Sequence, residues 1–200
     1  MSSFPLQGGC SVQVLENALT PQEYSDFIRI GSEYGPQLKQ PTSYTYGHRP
    51  KFKDVTFDFG ITGVPNRGYA HMPITTQIFN FCKIIKDRYN EEVPQNPYER
   101  LFNCNLVHYA PDFDLDGGRG KHQDNPSVDL GLVLIYSWGE ARTLNIFDEG
   151  RIVLKVEMNH NSILAMEGVN FQKMYSHCVR KLKRTVTQRN RHSFNIRYFN

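Results

Sequence analysis

The sequence predicts an α+β fold, a double-stranded β-helix (jelly roll) core with N-terminal helices packed on one sheet. Three observations predict it. After residue 100, short apolar runs of strand length follow one another between turn residues, with no helical period among them. Before residue 100, two segments carry apolar residues at the three- and four-residue spacing of a helix. A length of 200 residues suits one domain with a sizeable core. We therefore expect residues 1–99 to be an N-terminal extension within that domain, and residues 100–200 to be the jelly-roll core.

In chain order, Ser11 to Leu15 alternates polar and apolar residues and reads as a strand. Thr20-Pro21-Gln22-Glu23 follows, a capping box with proline at the first helical position. The helix it starts should bury Tyr24, Phe27 and Ile28 and close between Gly31 and Gly35. From 36 to 67 the composition turns to Pro, Thr, Tyr, Gly, Lys and Arg, centred on Tyr44-Thr45-Tyr46-Gly47-His48-Arg49-Pro50. Aromatics interleaved with cations suit a surface that stacks on bases and touches phosphate. The bland alternative packs those tyrosines under an irregular hairpin. Ile74, Ile78, Phe81, Cys82, Ile85 and Tyr89 predict a second helix from Pro73 to Tyr89, laid against the sheet. Strands are then expected at Leu101 to Tyr109, Val128 to Tyr136, Arg142 to Phe147, Arg151 to Val156, Ser162 to Met166, Lys173 to Cys178 and Ser193 to Tyr198.

Composition narrows the function classes. Hydrophobic content of 39% and charged content of 22% exclude a disordered or low-complexity chain. A formal charge of +3 permits a polyanionic partner without demanding one. Cys10, Cys82, Cys104 and Cys178 are scattered, which favours reduced thiols in an intracellular compartment, cytoplasmic or nuclear. No signal-peptide pattern or membrane-length apolar run is seen, so no membrane contact is expected; a monomer is expected as well.

The chemistry concentrates in Gly120-Lys121-His122-Gln123-Asp124. His122 and Asp124 stand two apart, so on an extended segment both point to one side, and His177 from a later strand completes three ligands. Two imidazoles and one carboxylate form the facial triad of non-haem Fe(II) oxygenases, which leaves positions open for co-substrate and oxygen. An acidic co-substrate then needs a cation nearby. Arg191 and Arg197 are six apart, share a strand face, and offer guanidinium forks that grip carboxylates. The remaining histidines, His48, His71, His108, His160 and His192, lack such company and read as surface or packing residues.

The ordered set of His122-x-Asp124, His177, Arg191 and Arg197 resembles the AlkB branch of the Fe(II)/2-oxoglutarate dioxygenases. The ending from Arg191 to Phe199 is similar to that branch's arginine-x5-arginine strand. The resemblance implies Fe(II) on His122, Asp124 and His177, with 2-oxoglutarate held by Arg191 and Tyr109. It gives Arg197 a positioning role beside the metal and the aspartate, and it makes the region of Tyr44, Tyr46 and Arg49 a nucleotide-recognition lid. Val107 departs from the asparagine that in the family stands two residues before the tyrosine and helps bind 2-oxoglutarate; Asn105, one step further along the same face, is its substitute in that role. No second acidic residue follows Asp124 shortly, where some members contact the base. The basic run Lys181, Lys183, Arg184 and Arg189 reads either as a solvated loop or as a phosphate contact. The implied activity is oxidative demethylation of alkylated nucleic-acid bases, in DNA or RNA. Protein hydroxylation or demethylation on the same core is the rival, and a non-catalytic nucleic-acid-binding jelly roll is the third reading.

Overall fold

A computed structural model describes residues 1–34, 56–60, 71–73, 76–109, 121–124, 131–180 and 191–200. Along the chain these form β1 (Ser2–Pro5), β2 (Ser11–Leu15), α1 (Pro21–Tyr34), β3 (Thr56–Gly60), β4 (His71–Pro73), α2 (Thr76–Glu92) and β5 (Arg100–Tyr109). There follow β6 (Leu132–Gly139), β7 (Arg142–Asp148), β8 (Arg151–Met158), β9 (Ser162–Glu167), α3 (Phe171–Met174), β10 (Tyr175–Val179) and β11 (Arg191–Phe199).

The capping box forms as its spacing requires. The Thr20 N–H donates to Glu23 Oε2 at 2.8 Å, and the Glu23 N–H donates back to Thr20 Oγ1 at 3.3 Å. The buried face of α1 is narrower than expected: Phe27 is fully buried and Tyr24 half-buried, but Ile28 is 37% exposed. One residue is a large step around a helix axis, so the position beside Phe27 already leaves the contact line. The second helix begins at Thr76 rather than Pro73 and continues past Tyr89 to Glu92. Proline tolerates a strand end, and Pro73 pairs with Gly60 between β4 and β3. Ile78, Phe81, Cys82, Ile85 and Tyr89 form the buried stripe of α2. An ion pair of 2.8 Å from Arg88 to Glu23 ties α2 to α1.

Among the described residues, eight strands make one sheet in the order β1-β2-β9-β6-β11-β5-β3-β4, and three make a second in the order β10-β7-β8. Pairing is antiparallel except between β3 and β4. The fold is α+β with a jelly-roll core, as the strand-only C-terminal half predicted. β1 and β2, from the start of the chain, extend the larger sheet beside β9. Of the strand expected from Val128 to Tyr136, Val128 to Leu130 lie outside the described residues and the rest is in β6, which runs on to Gly139; Gly131 immediately before it lies under the Tyr98 ring, where a Cβ would collide. The run from Lys173 divides into the last two residues of α3 and then β10, a change too short for periodicity to register.

Strand alternation sorts the larger sheet into two faces. Leu132, Leu134, Tyr136 and Trp138 of β6, Ile163 and Ala165 of β9, and Phe194, Ile196 and Tyr198 of β11 pack with Phe27 of α1 and with the stripe of α2. Val133, Ile135, Leu164 and Met166 face the smaller sheet and meet Leu144, Ile146, Val156 and Tyr175. The alternate residues of β11 complete this second face, and they are polar: Arg191, Ser193, Asn195 and Arg197.

Candidate metal centre

His177 sits on β10 between Tyr175 and Val179, both of which pack in the space between the sheets. By strand alternation its imidazole turns into the same space, and it is 5% exposed. Residues 121–124 lie alongside. The His122 N–H donates to the His177 carbonyl at 3.0 Å, and the His177 N–H donates to the His122 carbonyl at 2.8 Å. This isolated antiparallel bridge, not a full strand, supplies the extended geometry expected for His122-x-Asp124. Gln123 Nε2 donates to the Lys173 carbonyl at 3.1 Å, and the Asp124 N–H donates to Gln172 Oε1 at 2.9 Å. Three successive residues are thus fastened to the turn and strand that carry His177.

The result is a convergence of His122, Asp124 and His177, whose ligand atoms all lie within 4.8 Å of one another. The two imidazole centroids are 4.4 Å apart and inclined by 56°. Burial raises the Asp124 carboxyl pKa, but the Arg197 guanidinium and the two histidines outweigh it and hold the group well below the usual carboxylate range. Burial pushes His177 down to about 3, with His122 and Arg197 adding to the effect against Asp124. At neutral pH the site therefore presents an ionised carboxylate and a neutral imidazole, the protonation states that metal ligation needs. His177 Nδ1 is buried without a hydrogen-bond partner. Two nitrogens and one oxygen suit a divalent first-row metal, so the residues present fit the iron that the sequence implied.

Arg197 Nη2 donates to Asp124 Oδ1 at 2.9 Å and Nη1 donates to Asn105 Oδ1 at 3.1 Å. The guanidinium therefore braces the carboxylate while Asn105, paired in register with Asn195, braces the guanidinium. Arg191 is wholly buried; its Nη2 donates to Ser137 Oγ at 2.8 Å and contacts Met158 Sδ at 3.4 Å. The Tyr109 backbone pairs directly with Arg191. Between the two arginines, Ser193 Oγ and Asn195 Oδ1 are buried without hydrogen-bond partners among the described residues.

Ser137, Ser193, Asn195 and Gln172 were not singled out from the sequence. Ser193 and Asn195 were signalled by the even spacing between the arginines, whereas nothing local marked Ser137 or Gln172. His192, on the opposite face of β11, stacks on Trp138 at 4.7 Å. His160 lies in a turn and its Nδ1 accepts the Gly139 N–H at 3.1 Å. Neither joins the cluster. Tyr44, Tyr46, Arg49 and His48, and the basic run Lys181, Lys183, Arg184 and Arg189, lie outside the described residues.

By sequence the chain matches no protein-family model and no curated protein. By structure it is similar to OsALKBH1, an AlkB homologue, with a TM-score of 0.62, 20% identity, and coverage of 92% of this chain and 96% of that one. It is also similar to a prolyl hydroxylase from Trichoplax adhaerens, solved in complex with a hypoxia inducible factor oxygen degradation domain peptide fragment. There the TM-score is 0.55 and the identity 13%, over 94% of this chain and 83% of the other. The jelly-roll architecture is thus shared with both.

Proposed function

We propose that the protein is an Fe(II)- and 2-oxoglutarate-dependent dioxygenase that oxidatively demethylates alkylated bases in nucleic acid. The observation that carries the reading is the convergence of His122, Asp124 and His177 beside Arg197, with Arg191 buried on the same strand face. When bound, iron would supply the site at which O2 is reduced with 2-oxoglutarate as co-reductant: one oxygen atom goes into succinate as CO2 leaves, and the other hydroxylates an N-methyl group, which is then lost as formaldehyde.

The chain's own residues bind and orient. His122, Asp124 and His177 hold the metal, and Arg197 keeps the Asp124 carboxylate ionised and fixed in one orientation. Arg191 receives the distal carboxylate of 2-oxoglutarate, assisted by Tyr109, inside a space walled by two sheets that keeps bulk water out. Asn105 contributes by holding Arg197. Tyr44, Tyr46 and Arg49 receive the substrate base, taken out of its stack so that its methyl group reaches the metal. The four cysteines are free and buried, which suits a reducing compartment, cytoplasmic or nuclear. No helix among the described residues is long and apolar enough to cross a membrane.

Protein hydroxylation is the second reading, supported by the likeness in fold to a prolyl hydroxylase. Incubating the protein with Fe(II), 2-oxoglutarate and ascorbate, against methylated DNA, methylated RNA and proline-containing peptides, separates the two. Formaldehyde and succinate rising together on one methylated polymer is the expected result. Succinate with a hydroxylated peptide and no formaldehyde would transfer the assignment to the second reading.

A further inference from the structure

The short α3, between β9 and β10, is more than a spacer. Gln172, on the four-residue α3, is 2% exposed, a depth at which a carboxamide is retained only when it is hydrogen-bonded. Its oxygen is satisfied by the Asp124 N–H at 2.9 Å, but its Nε2 is buried with no hydrogen-bond partner among the described residues. The donor belongs to the same planar group that grips the backbone of a metal ligand, so it lies at the edge of the centre. A buried amide N–H without an acceptor costs stability, and an acceptor that arrives with a ligand accounts for the fold's keeping one.

We infer that Gln172 is a positioning residue of the metal centre: its Oε1 fixes Asp124 relative to the His177 strand, and its Nε2 donates to a carboxylate oxygen of the bound co-substrate. This deepens the oxygenase reading and rests on it. Two features support the fixing role. Gln123 bonds the neighbouring Lys173 carbonyl at 3.1 Å, so the same turn clamps two consecutive residues. The opposite side of Asp124 is held by Arg197, leaving the Gln172 contact as the restraint on its backbone. The donor role follows from chemistry: an anionic oxygen is the strongest acceptor that such a site receives.

The test uses the full chain loaded with Mn2+, followed by electron paramagnetic resonance, with parent, Gln172→Leu and Gln172→Glu. Gln172→Leu removes both functions and should bind Mn2+ about 10- to 100-fold more weakly. Gln172→Glu keeps an oxygen for the Asp124 N–H but replaces the donor with an acceptor. It should hold Mn2+ at least as well as Gln172→Leu does, yet bind 2-oxoglutarate to the loaded site about tenfold or more weakly than the parent. Parental Mn2+ affinity in Gln172→Leu overturns the fixing role, and parental 2-oxoglutarate affinity in Gln172→Glu overturns the donor role. A fall in the metal-free unfolding temperature of both variants, with both affinities at the parental level, makes Gln172 a packing residue and overturns the inference entirely. Failure of the parent itself to bind Mn2+ instead refutes the oxygenase reading, so the two failures are distinguishable.

Discussion

β11 presents two faces of opposite character. Towards the helices it offers Phe194, Ile196 and Tyr198, fully or almost fully buried among Phe27, Phe81 and Trp138. Phe194 and Phe81 meet edge to face at 5.2 Å, and Phe27 and Phe81 stack at 4.2 Å. Towards the smaller sheet the same strand offers Arg191, Ser193, Asn195 and Arg197, and among the described residues Ser193 Oγ and Asn195 Oδ1 are buried with no hydrogen-bond partner. One face maximises apolar burial and aromatic contact, which stabilise the fold. The other gives up that stabilisation, and desolvated polar groups earn retention only by acting on something else. Stability and chemistry are divided between the two sides of one strand.

The largest expected effect breaks that division on the chemical side. His177→Ala should abolish succinate formation and Mn2+ binding while leaving the urea midpoint of the metal-free protein close to parental, because a buried imidazole is exchanged for a small apolar group. A midpoint that falls as far as a core truncation would show that the two faces are not separable. Next comes the converse. Phe194→Ala should cost about 3–5 kcal/mol of folding stability, read by urea denaturation, with Mn2+ affinity retained below the unfolding transition.

A smaller effect sharpens the division within the polar face. Arg191→Ala should weaken 2-oxoglutarate by about 1.5–3 kcal/mol, seen as a right-shifted titration of the Mn2+-loaded protein, with metal affinity held. Equal loss of both ligands would mean that Arg191 acts on the metal ligands rather than on the co-substrate. The smallest effect is a control far from both faces. Thr20→Ala removes the hydroxyl that accepts the Glu23 N–H, and thermal unfolding should register about 1 kcal/mol with turnover per folded molecule unchanged.

How legible these features were in the sequence depended on whether their signal was local. The cap at Thr20, the stripe from Ile78 to Tyr89 and the strand from Ser11 to Leu15 rest on neighbouring residues, and the structure has all three. The pairing of Arg197 with Asp124 was expected from the family resemblance and is present at 2.9 Å. Ile28 misled because a helical stripe gives the direction of burial but not the width of the contact. β1, β4 and α3 are three or four residues each, too short for a period to stand out, and β3 lies in the stretch whose Pro, Gly and Tyr composition reads as irregular. Gln172 was invisible for another reason: its meaning comes from Asp124, which is 48 residues away along the chain. Nothing in Phe171-Gln172-Lys173-Met174 announces that partnership.

The His122–His177 bridge also constrains when the centre can exist. Its two backbone hydrogen bonds join segments far apart in the chain, so the centre cannot form until that loop has closed, at an entropic cost. Before β10 pairs with β7, His177 has no fixed position relative to Asp124, and the chain offers only scattered side chains to a metal ion. Metal capture is consequently a reporter of completed folding. In stopped-flow refolding the metal signal should therefore rise no earlier than the last phase of tertiary burial.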